Sequence, residues 1–380
     1  MAPGSIIEGI GNPVRVRPRK EAATVRSAPS SPVFAGSVVH LFSGQGDFAL
    51  TPLLRLLPRV PSLAAAVAEV FAQADRAAAE FGVAPLGPRL LGSSPPSAGA
   101  LAGEPPGAVQ LALFGVSLAV HRALEADGCR ADRLVAVSFG EIPALTAAGC
   151  CSVADGARLA GRLGQLLTGH GGGMTLVGVG PAGTRALLDR AGPAADTVVP
   201  ACVNHRDETV LSGPLDALAA VERFAARKGV SVQRLRLPFM SHHPALAREA
   251  GAFAHYARRL RLVPPRRPVF SVVAGRLYGP DNDLPRALSA CLVRSFTLPA
   301  VLGAALPGGS LAVEAGTGRA LANSVRLIDP RQRVCAPLAE GSWLGRCPRG
   351  GRVPDGRAPS RAQDSGCRRR PTDTAARRQL

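Results

Sequence analysis

The sequence predicts an α/β protein in which a parallel sheet covered by helices is interrupted by a smaller unit. Short β-branched runs such as SVVHLFS (37–43) and RLVAVS (133–138) alternate with longer helical stretches. Because parallel strands are joined by helical crossovers, this alternation predicts the large sheet. Between residues 172 and 236 the order changes to strand, helix, strand, strand, helix, strand, which is the order of a ferredoxin-like unit.

Each predicted element follows from its apolar pattern and from the turn residues that bound it. One continuous helix is expected over 52–81 and another over 108–128. In the smaller unit we expect strands at 174–180, 198–204, 208–213 and 231–237, and helices at 181–191 and 214–229. The strands PVFSVVA (268–274) and SLAVEAG (310–316) then return to the large sheet.

The chain is expected to contain one large α/β part, one insertion and two tails. Residues 37–171 and 237–340 should form the large part, and residues 172–236 the ferredoxin-like insertion. Residues 1–36 and 341–380 are rich in Pro, Ser and Arg and lack apolar periodicity. We therefore expect both tails to be disordered.

The formal net charge of +18 does not indicate a nucleic-acid partner. Residues 1–36 carry five basic and two acidic side chains, and residues 341–380 carry ten and three, so more than half of the excess lies at the two ends. Aromatic residues make up 4% of the chain, which leaves little to stack on bases. No nucleic acid is expected.

The same composition favours a cytoplasmic protein without a metal or a membrane partner. No apolar run approaches the roughly 20 residues needed to span a bilayer, and the N-terminus lacks the regions of a signal peptide. The eight cysteines form no CxxC pair and show no metal-ligand spacing with histidine. We expect them to be reduced thiols.

The stretch LVAVSFGEIPAL (134–145) places Ser138 between a predicted strand and the first turns of a helix. A serine there is commonly a helix N-cap. It is also the position of the nucleophile in a G-x-S-x-G elbow, where small flanking residues let strand and helix approach closely. Here the flanking residues are Ala136 and Gly140, and the motif by itself leaves both interpretations open.

Two further stretches are candidates to complete a nucleophilic site. His242 and His243 stand on a predicted turn in LPFMSHHPAL (237–246), where they would either cap a helix or supply the base of a serine nucleophile. FSGQG (42–46) follows the first strand and is either a plain β-to-α turn or a loop that offers backbone N–H groups to an oxyanion. The sequence contains neither a GxGxxG fingerprint nor a P-loop.

Taken in order, eight motifs make the sequence similar to the malonyl-CoA:acyl carrier protein transacylase family, which includes the acyltransferase domains of polyketide synthases. They are FSGQG (42–46), AVQLALF (108–114), VAVSFGE (135–141), GGGMTLVGV (171–179), ACVNHRDETVLSGP (201–214), LPFMSHHPAL (237–246), PVFSVV (268–273) and VEAGTGRAL (313–321). The resemblance covers about residues 37–340. It implies an α/β-hydrolase-like parallel-sheet domain with the ferredoxin-like insert.

The resemblance also implies an activity, the transfer of an acyl group from acyl-CoA to the phosphopantetheine thiol of an acyl carrier protein in polyketide or fatty-acid biosynthesis. Ser138 matches the nucleophile and His242 the base of a Ser-His dyad. Backbone N–H groups of Gln45 and Phe139 match the oxyanion hole, and the backbone carbonyl of Ser271 matches the group that orients the histidine. No bound cofactor is implied. The implied partners are acyl carrier protein, acyl-CoA and a ketosynthase or other synthase components.

The pocket positions include both matches and departures. Gln110 and Asn204 match polar pocket residues, and Ser241 matches a position associated with acyl preference. Malonyl-using members carry an arginine before a glycine on the helix after the elbow, whereas here Leu163 holds that position and Arg162 comes one residue earlier. One residue along a helix is a rotation of about 100°. A leucine facing the pocket would favour an acyl group without a free carboxylate.

The elbow also departs from the family, because Ala136 and Val137 stand where glycine and histidine are usual. Two alternative functions remain, and the altered elbow is consistent with the second of them. The same Ser-His pair would hydrolyse acyl groups from carrier protein in an editing enzyme, since water and the pantetheine thiol compete for one acyl-serine. Alternatively, a degenerate member would bind carrier protein or synthase partners without catalysis.

Overall fold

The structure, a computed structural model, describes residues 36–346. The two predicted disordered tails therefore lie outside the described residues, except for Gly36 and residues 341–346. The second tail was predicted to begin too early. Trp343–Arg346 forms a 3₁₀ turn, and the indole Nε1–H of Trp343 donates to Asp127 at 2.6 Å, which ties this segment to the end of a core helix.

The bounds of the elements are as follows. The helices are α1 (Thr51–Leu56), α2 (Pro61–Ala78), α3 (Leu86–Leu91), α4 (Ala98–Ala102), α5 (Ala108–Ala126), α6 (Glu141–Ala147), α7 (Val153–Thr168), α8 (Pro181–Ala191), α9 (Leu215–Arg227), α10 (Ala247–Arg258), α11 (Leu284–Val293), α12 (Leu298–Ala305) and α13 (Ala320–Ile328). The strands are β1 (Val38–Phe42), β2 (Arg133–Ala136), β3 (Gly173–Val177), β4 (Val199–His205), β5 (Glu208–Gly213), β6 (Val232–Arg234), β7 (Val269–Ser271), β8 (Arg276–Leu277), β9 (Phe296–Thr297), β10 (Leu311–Glu314) and β11 (Arg333–Cys335).

The large sheet confirms the predicted parallel architecture. Its order is β11-β10-β1-β2-β7-β8, and every pairing is parallel except that of the short edge strand β8 with β7. Successive side chains of a strand point to opposite faces, so Phe42 and Leu134 join one hydrophobic cluster and Leu41 and Val135 join another. Both faces are thus buried, as a sheet covered by crossover helices requires.

Helices α2, α5 and α7 contribute to the larger of these clusters, and α12 and α13 to the other. Helix α5 is long and apolar enough to cross a membrane, but most of its side chains are buried inside the protein. It is therefore the central core helix of this face. The continuous helix predicted over 52–81 is broken into α1 and α2, because Pro58 and Pro61 cannot supply backbone donors to a helix interior.

The insertion forms a second sheet with the order β6-β3-β5-β4-β9. Its first four strands pair antiparallel and, with α8 and α9, follow the predicted β-α-β-β-α-β order of a ferredoxin-like unit. The fifth strand, β9, was not predicted. It belongs to the returning large part of the chain and pairs parallel with β4, placing Phe296 beside Cys202. The second sheet therefore extends beyond the 172–236 segment.

Most of the described cysteines are free thiols, as expected. They are Cys129, Cys150, Cys151, Cys202 and Cys291. Cys335 differs, because it is disulfide-bonded, so the expectation of eight reduced thiols is wrong at this position.

Candidate active site

Ser138 lies two residues after the end of β2, at the first residue of a 3₁₀ turn that leads into α6. Its φ is 55°, in the left-handed region that non-glycine residues rarely adopt. Strand and helix approach closely here, since a Cβ at Gly140 would lie 2.2 Å from the carbonyl oxygen of Phe42. The turn is thus a strained strand-to-helix elbow. Ser138 is not an ordinary helix N-cap, because Gly140 occupies the cap position of α6 and Ser138 Oγ contacts His242 instead.

His242 forms a hydrogen bond with this serine. Its Nε2 lies 2.7 Å from Ser138 Oγ, and its Nδ1 lies 2.6 Å from the backbone carbonyl oxygen of Arg294. Because a carbonyl oxygen only accepts, Nδ1 must carry the proton and donate it to Arg294. The lone pair of Nε2 is then free to accept the hydroxyl proton of Ser138. His242 also has a positive φ, 56°.

The orienting carbonyl therefore belongs to Arg294, and the prediction of Ser271 is wrong. Arg294 is the residue at which α11 ends, and its extended backbone turns the carbonyl toward the imidazole. The carbonyl oxygen of Ser271 instead accepts the N–H of Gly275 at 2.9 Å, within the turn after β7. The family resemblance pointed to a strand end, whereas a helix end supplies the group.

Burial keeps the imidazole of His242 neutral. The residue is 4% exposed, and burial lowers its pKa to about 4, although the bond to Arg294 acts in the opposite direction. The ring of Phe296 packs edge-on against it with centroids 5.2 Å apart. A neutral imidazole at pH 7 can accept the proton of a nucleophile.

The neighbouring His243 has the capping role that was the other interpretation of the SHH pair. Its Nδ1 accepts the N–H of Ala245 at 3.1 Å, and its Nε2 lies 3.0 Å from the carbonyl oxygen of Thr197. Its own N–H donates to Leu292 near the end of α11. His243 thus caps the turn that follows it, and His242 contacts the serine.

The serine and histidine open onto a cleft of about 520 Å³ between the two sheets. The larger sheet contributes the loop after β1 and the start of α13, and the smaller sheet contributes the faces of β3 to β6. Two of the predicted pocket residues, Asn204 and Ser241, line it, together with Gln45, which was predicted as an oxyanion donor. Asn204 donates to Glu208 Oε1 at 2.8 Å, the N–H of Ser241 donates to Ser212 Oγ at 3.2 Å, and Gln45 lies at the FSGQG loop.

Gln110 lies just behind this lining. It is 5% exposed, and its Nε2 donates to Gln45 Oε1 at 2.8 Å, so it reaches the cleft through Gln45. The side chain of Gln110 also abuts α7 at Gly164, where a Cβ would lie 2.6 Å from its Oε1. Gln110 was predicted to line the pocket, but the structure places it behind Gln45 and outside the cleft lining.

The two predicted residues on α7 do not line the cleft. Leu163 is buried in the main hydrophobic core, because Gly164 holds the position of closest approach to α5. Arg162 points to the other side, where its Nη1 donates to Gln165 at 3.2 Å and its guanidinium lies 5.9 Å from the ring centroid of Tyr256. The prediction that Leu163 faces the pocket, and the assignment of Arg162 to substrate binding, are both wrong.

The two predicted oxyanion donors belong to two separate 3₁₀ turns. Gln45 begins the 3₁₀ turn Gln45–Asp47, and Phe139 is the second residue of the elbow turn. The first N–H groups of a helical turn have no partner within the turn. The two turns are in contact at Gly44, where a Cβ would lie 3.7 Å from the Cβ of Ser138.

Glu141 is a buried group of the site that the sequence did not single out. It lies three residues after the nucleophile position, fully buried, and accepts hydrogen bonds from Ser271 Oγ and from the hydroxyl of Tyr278. Burial raises its pKa to about 7. A glutamate in the first turn of a buried helix was the available signal. Asp47, Arg294 and Phe296 were missed as well, and their proximity depends on tertiary packing.

Within residues 36–346 no group of three or more His, Cys, Asp or Glu side chains is placed to hold a metal ion. The arrangement that is present consists of a hydroxyl, a neutral imidazole and backbone donors. Together, the fold and this site define a class: α/β proteins with a serine on a strained elbow paired with a histidine, the arrangement used in acyl transfer and acyl hydrolysis.

The chain belongs to the acyl transferase domain family, whose sequence model matches residues 105–302. It is 28% identical over 293 residues to the conidial pigment polyketide synthase PfmaE of Pestalotiopsis fici, covering 74% of this chain and 12% of that protein. It is 34% identical over 183 residues to the spectinabilin polyketide synthase system protein NorA' of Streptomyces orinoci, covering 46% and 5%. The chain thus spans a small part of these relatives.

Solved structures agree with this assignment. The malonyl-CoA:acyl carrier protein transacylase from Xanthomonas oryzae pv. oryzae superposes with a TM-score of 0.71 at 25% identity, covering 83% of this chain and 98% of that one. The acyltransferase domain from the second module of the salinomycin polyketide synthase gives 0.64 at 26% identity, covering 81% and 72%. The resemblance and the α/β-hydrolase-like fold with its ferredoxin-like subdomain are confirmed.

Proposed function

We propose that this acyltransferase moves an acyl group from acyl-CoA to the phosphopantetheine thiol of an acyl carrier protein through an acyl-Ser138 intermediate. The observation that carries the proposal is the 2.7 Å contact between Ser138 Oγ and His242 Nε2, made by two residues whose backbones are both left-handed. Strained conformations of this kind persist where the surrounding structure holds reacting groups in place.

In the first half-reaction Ser138 Oγ attacks the thioester carbonyl of acyl-CoA while His242 Nε2 accepts the hydroxyl proton. The imidazolium that forms is stabilised through Nδ1–H and the carbonyl of Arg294. Collapse of the tetrahedral intermediate breaks the carbon–sulfur bond, and His242 returns the proton to the CoA thiolate. The acyl group is then an ester of Ser138.

In the second half-reaction the same histidine takes the proton of the carrier-protein thiol. The thiolate attacks the acyl-Ser138 carbonyl, the ester bond breaks, and the proton is returned to Ser138 Oγ. One site therefore serves both steps, and the enzyme ends unchanged. Backbone N–H groups of Gln45 and Phe139 would stabilise the oxyanion in both tetrahedral intermediates, each typically by about 3 kcal/mol.

The charges that line the cleft favour an acyl group without a free carboxylate. Among the lining residues the arginine is Arg319, which is exposed at the start of α13, whereas Asp47 and Glu208 contribute carboxylates. Apolar side chains such as Met174 and Phe239 form much of the remaining wall. A buried malonyl carboxylate without a cationic partner would lose its hydration uncompensated. We therefore propose acetyl, propionyl or a longer uncharged acyl group as substrate.

The proposal includes the cellular setting. The enzyme would act in polyketide or fatty-acid biosynthesis in the cytoplasm, with no bound cofactor, since acyl-CoA is a substrate and the phosphopantetheine belongs to the carrier protein. A ketosynthase or other synthase component would be a further partner. Support comes from the polyketide synthases with which the chain shares sequence.

Intact-mass analysis of the purified protein with a panel of acyl-CoAs tests this function. We expect an acyl adduct on the wild type that is absent from Ser138→Ala, with acetyl or propionyl adducts exceeding malonyl adducts. His243→Ala is a useful comparison, because it removes the neighbouring imidazole and leaves His242 in place. Adduct formation by Ser138→Ala, or none on the wild type with any thioester, would contradict the proposal; a preference for malonyl would contradict only its substrate.

A further inference from the structure

The motif VEAGTGRAL (313–321) has no place in the chemistry above, yet it lies beside the loop that carries Gln45. Strands β1 and β10 are parallel neighbours, with Leu41 opposite Glu314. The loops that follow them therefore leave the sheet at the same edge, and the N–H of Ala315 donates to Leu41 at 2.8 Å. We call residues 43–49 the oxyanion loop and residues 315–319 the support loop.

Asp47 connects the two loops. It lies two residues after Gln45, and its Oδ2 accepts the N–H groups of Arg319 at 2.7 Å and Ala320 at 2.8 Å, at the start of α13. A second bond runs the other way, as the N–H of Ala49 donates to Thr317 Oγ1 at 3.2 Å. The oxyanion loop is thus bonded to the support loop at the last residue of its 3₁₀ turn and again two residues later.

The contact between the two loops leaves no room for a side chain at Gly318. A Cβ at Gly318 would lie 2.3 Å from Asp47 Oδ2 and 2.5 Å from the backbone oxygen of Asp47, so a side chain there would push the oxyanion loop away. On its inner side the oxyanion loop touches the elbow, since a Cβ at Gly44 would lie 3.7 Å from the Cβ of Ser138. A displacement at Asp47 would therefore reach the N–H of Gln45.

We propose that Asp47 is a positioning residue, which holds the Gln45 N–H at the distance from Ser138 that an oxyanion requires. The inference rests on the proposed function, because it assigns Gln45 to the oxyanion hole. Asp47 does not touch the reacting atoms; it acts through the loop. Oxyanion donors act only when their position is fixed before the reaction, so loosening the loop should slow the chemical step more than substrate binding.

The chain provides a matched control. Asp75 also accepts two backbone N–H groups at the start of a helix, those of Leu86 and Gly87 at 2.8 and 2.9 Å, but neither Asp75 nor α3 is among the residues that line the cleft. Asp47→Ala and Asp75→Ala therefore remove equivalent pairs of bonds. Asp47→Asn keeps an acceptor oxygen and should rescue most of the effect, while Gly318→Ala keeps the carboxylate and displaces the loop.

The test measures the rate at which a fluorophosphonate labels Ser138, because its phosphoryl oxygen needs the same N–H donors. Intact-mass analysis gives the labelling rate, and thermal unfolding of each variant gives its stability. We expect Asp47→Ala and Gly318→Ala to label about 10- to 100-fold more slowly than wild type. Asp47→Asn and Asp75→Ala should stay within about threefold, with Asp75→Ala unfolding at a temperature as low as that of Asp47→Ala.

Each other outcome overturns the inference. Equal slowing in Asp47→Ala and Asp75→Ala would show a loss of stability only, and wild-type labelling by Asp47→Ala would show that the loop holds its place unaided. A wild type that does not label has no oxyanion site to position. The proposed function fails separately, when the fluorophosphonate labels Ser138 at these expected rates but no acyl-CoA acylates it.

Discussion

At the scale of single residues, the site depends on two backbones held in an unfavourable conformation. Ser138 and His242 have φ values of 55° and 56°, and such conformations cost of order 1–3 kcal/mol each. Neighbouring groups hold both residues in this conformation. Gly140 lets the elbow pack against Phe42, and the carbonyl oxygen of Arg294 accepts the Nδ1–H of the His242 imidazole. The neutral form of His242 follows from its burial rather than from a charged neighbour.

The pH dependence of acylation tests this environment. Because the pKa of His242 is lowered from 6.5 to about 4, the imidazole stays able to accept a proton at acidic pH. We expect the rate of acyl-Ser138 formation from an uncharged acyl-CoA to change little between pH 7 and 5 and to fall by half near pH 4. Circular dichroism at each pH controls for unfolding. Half-maximal acylation near pH 6.5 in folded protein would contradict this prediction.

At the scale of elements, the packing of β1 on α5 buries a second pair of histidines far from the cleft. His40 Nδ1 lies 2.8 Å from His121 Nδ1, and both residues are at most 2% exposed. Burial lowers the pKa of each histidine from 6.5 to about 3. Repulsion from His121 lowers the pKa of His40 further, and repulsion from Arg267 and Arg122 does the same for His121. Protonation of either ring would place a charge in the core, and Glu125, whose carboxylate lies 3.6 Å from His121 Nε2, offsets the cost of burial only in part.

This pair predicts how stability depends on pH. The unfolded chain binds more protons than the folded protein below about pH 6.5, so the free energy of unfolding should fall as pH decreases from 6.5 toward 3. The slope is at most about 1.4 kcal/mol per pH unit for each histidine. Urea unfolding at pH 7.5 and 5.5 should show this loss, and the double variant His40→Leu/His121→Leu should show a smaller one. The variant His255→Ala, at an exposed imidazole, should behave as wild type.

At the scale of the whole molecule, the cleft exists because the insertion forms a second sheet opposite the parallel one. Ser138 follows β2 of the first sheet, whereas Asn204 lies on β4 of the second and Leu235 follows its strand β6. Strand β9 joins the second sheet and places Phe296 against His242. A thioester arm entering between the sheets would meet apolar walls before it reaches the serine. In the proposed transfer, such walls would exclude bulk water from the acyl-serine while the thioester arm is bound.

Transfer and hydrolysis are distinguished by what removes the acyl group. We expect acyl-Ser138 to persist in buffer and to pass to holo acyl carrier protein within seconds to minutes, increasing the carrier's mass by one acyl group. The apo carrier, which lacks the phosphopantetheine thiol, is the control and should stay unmodified. Release of free acid at the same rate with and without holo carrier would instead establish the editing hydrolase. Intact mass of both proteins provides the measurement.

The sequence by itself determined the layers and the ferredoxin-like insertion and predicted the pair Ser138 and His242, because these depend on local patterns and on motif order. Strand and helix periodicity is written in neighbouring residues, and the motifs around Ser138 and His242 are contiguous. The family and fold that those motifs implied are confirmed by the family match and by the structural neighbours.

Only the tertiary structure decided which groups surround that pair. Arg294 rather than Ser271 orients the imidazole, because the end of α11 and not the end of β7 reaches His242. Leu163 lies in the core, since the direction of its side chain depends on how α7 packs against α5. Asp47 meets Arg319, 272 residues away in the chain, because β1 and β10 are neighbours in the sheet. Contacts between segments distant in sequence depend on packing, and no local pattern encodes them.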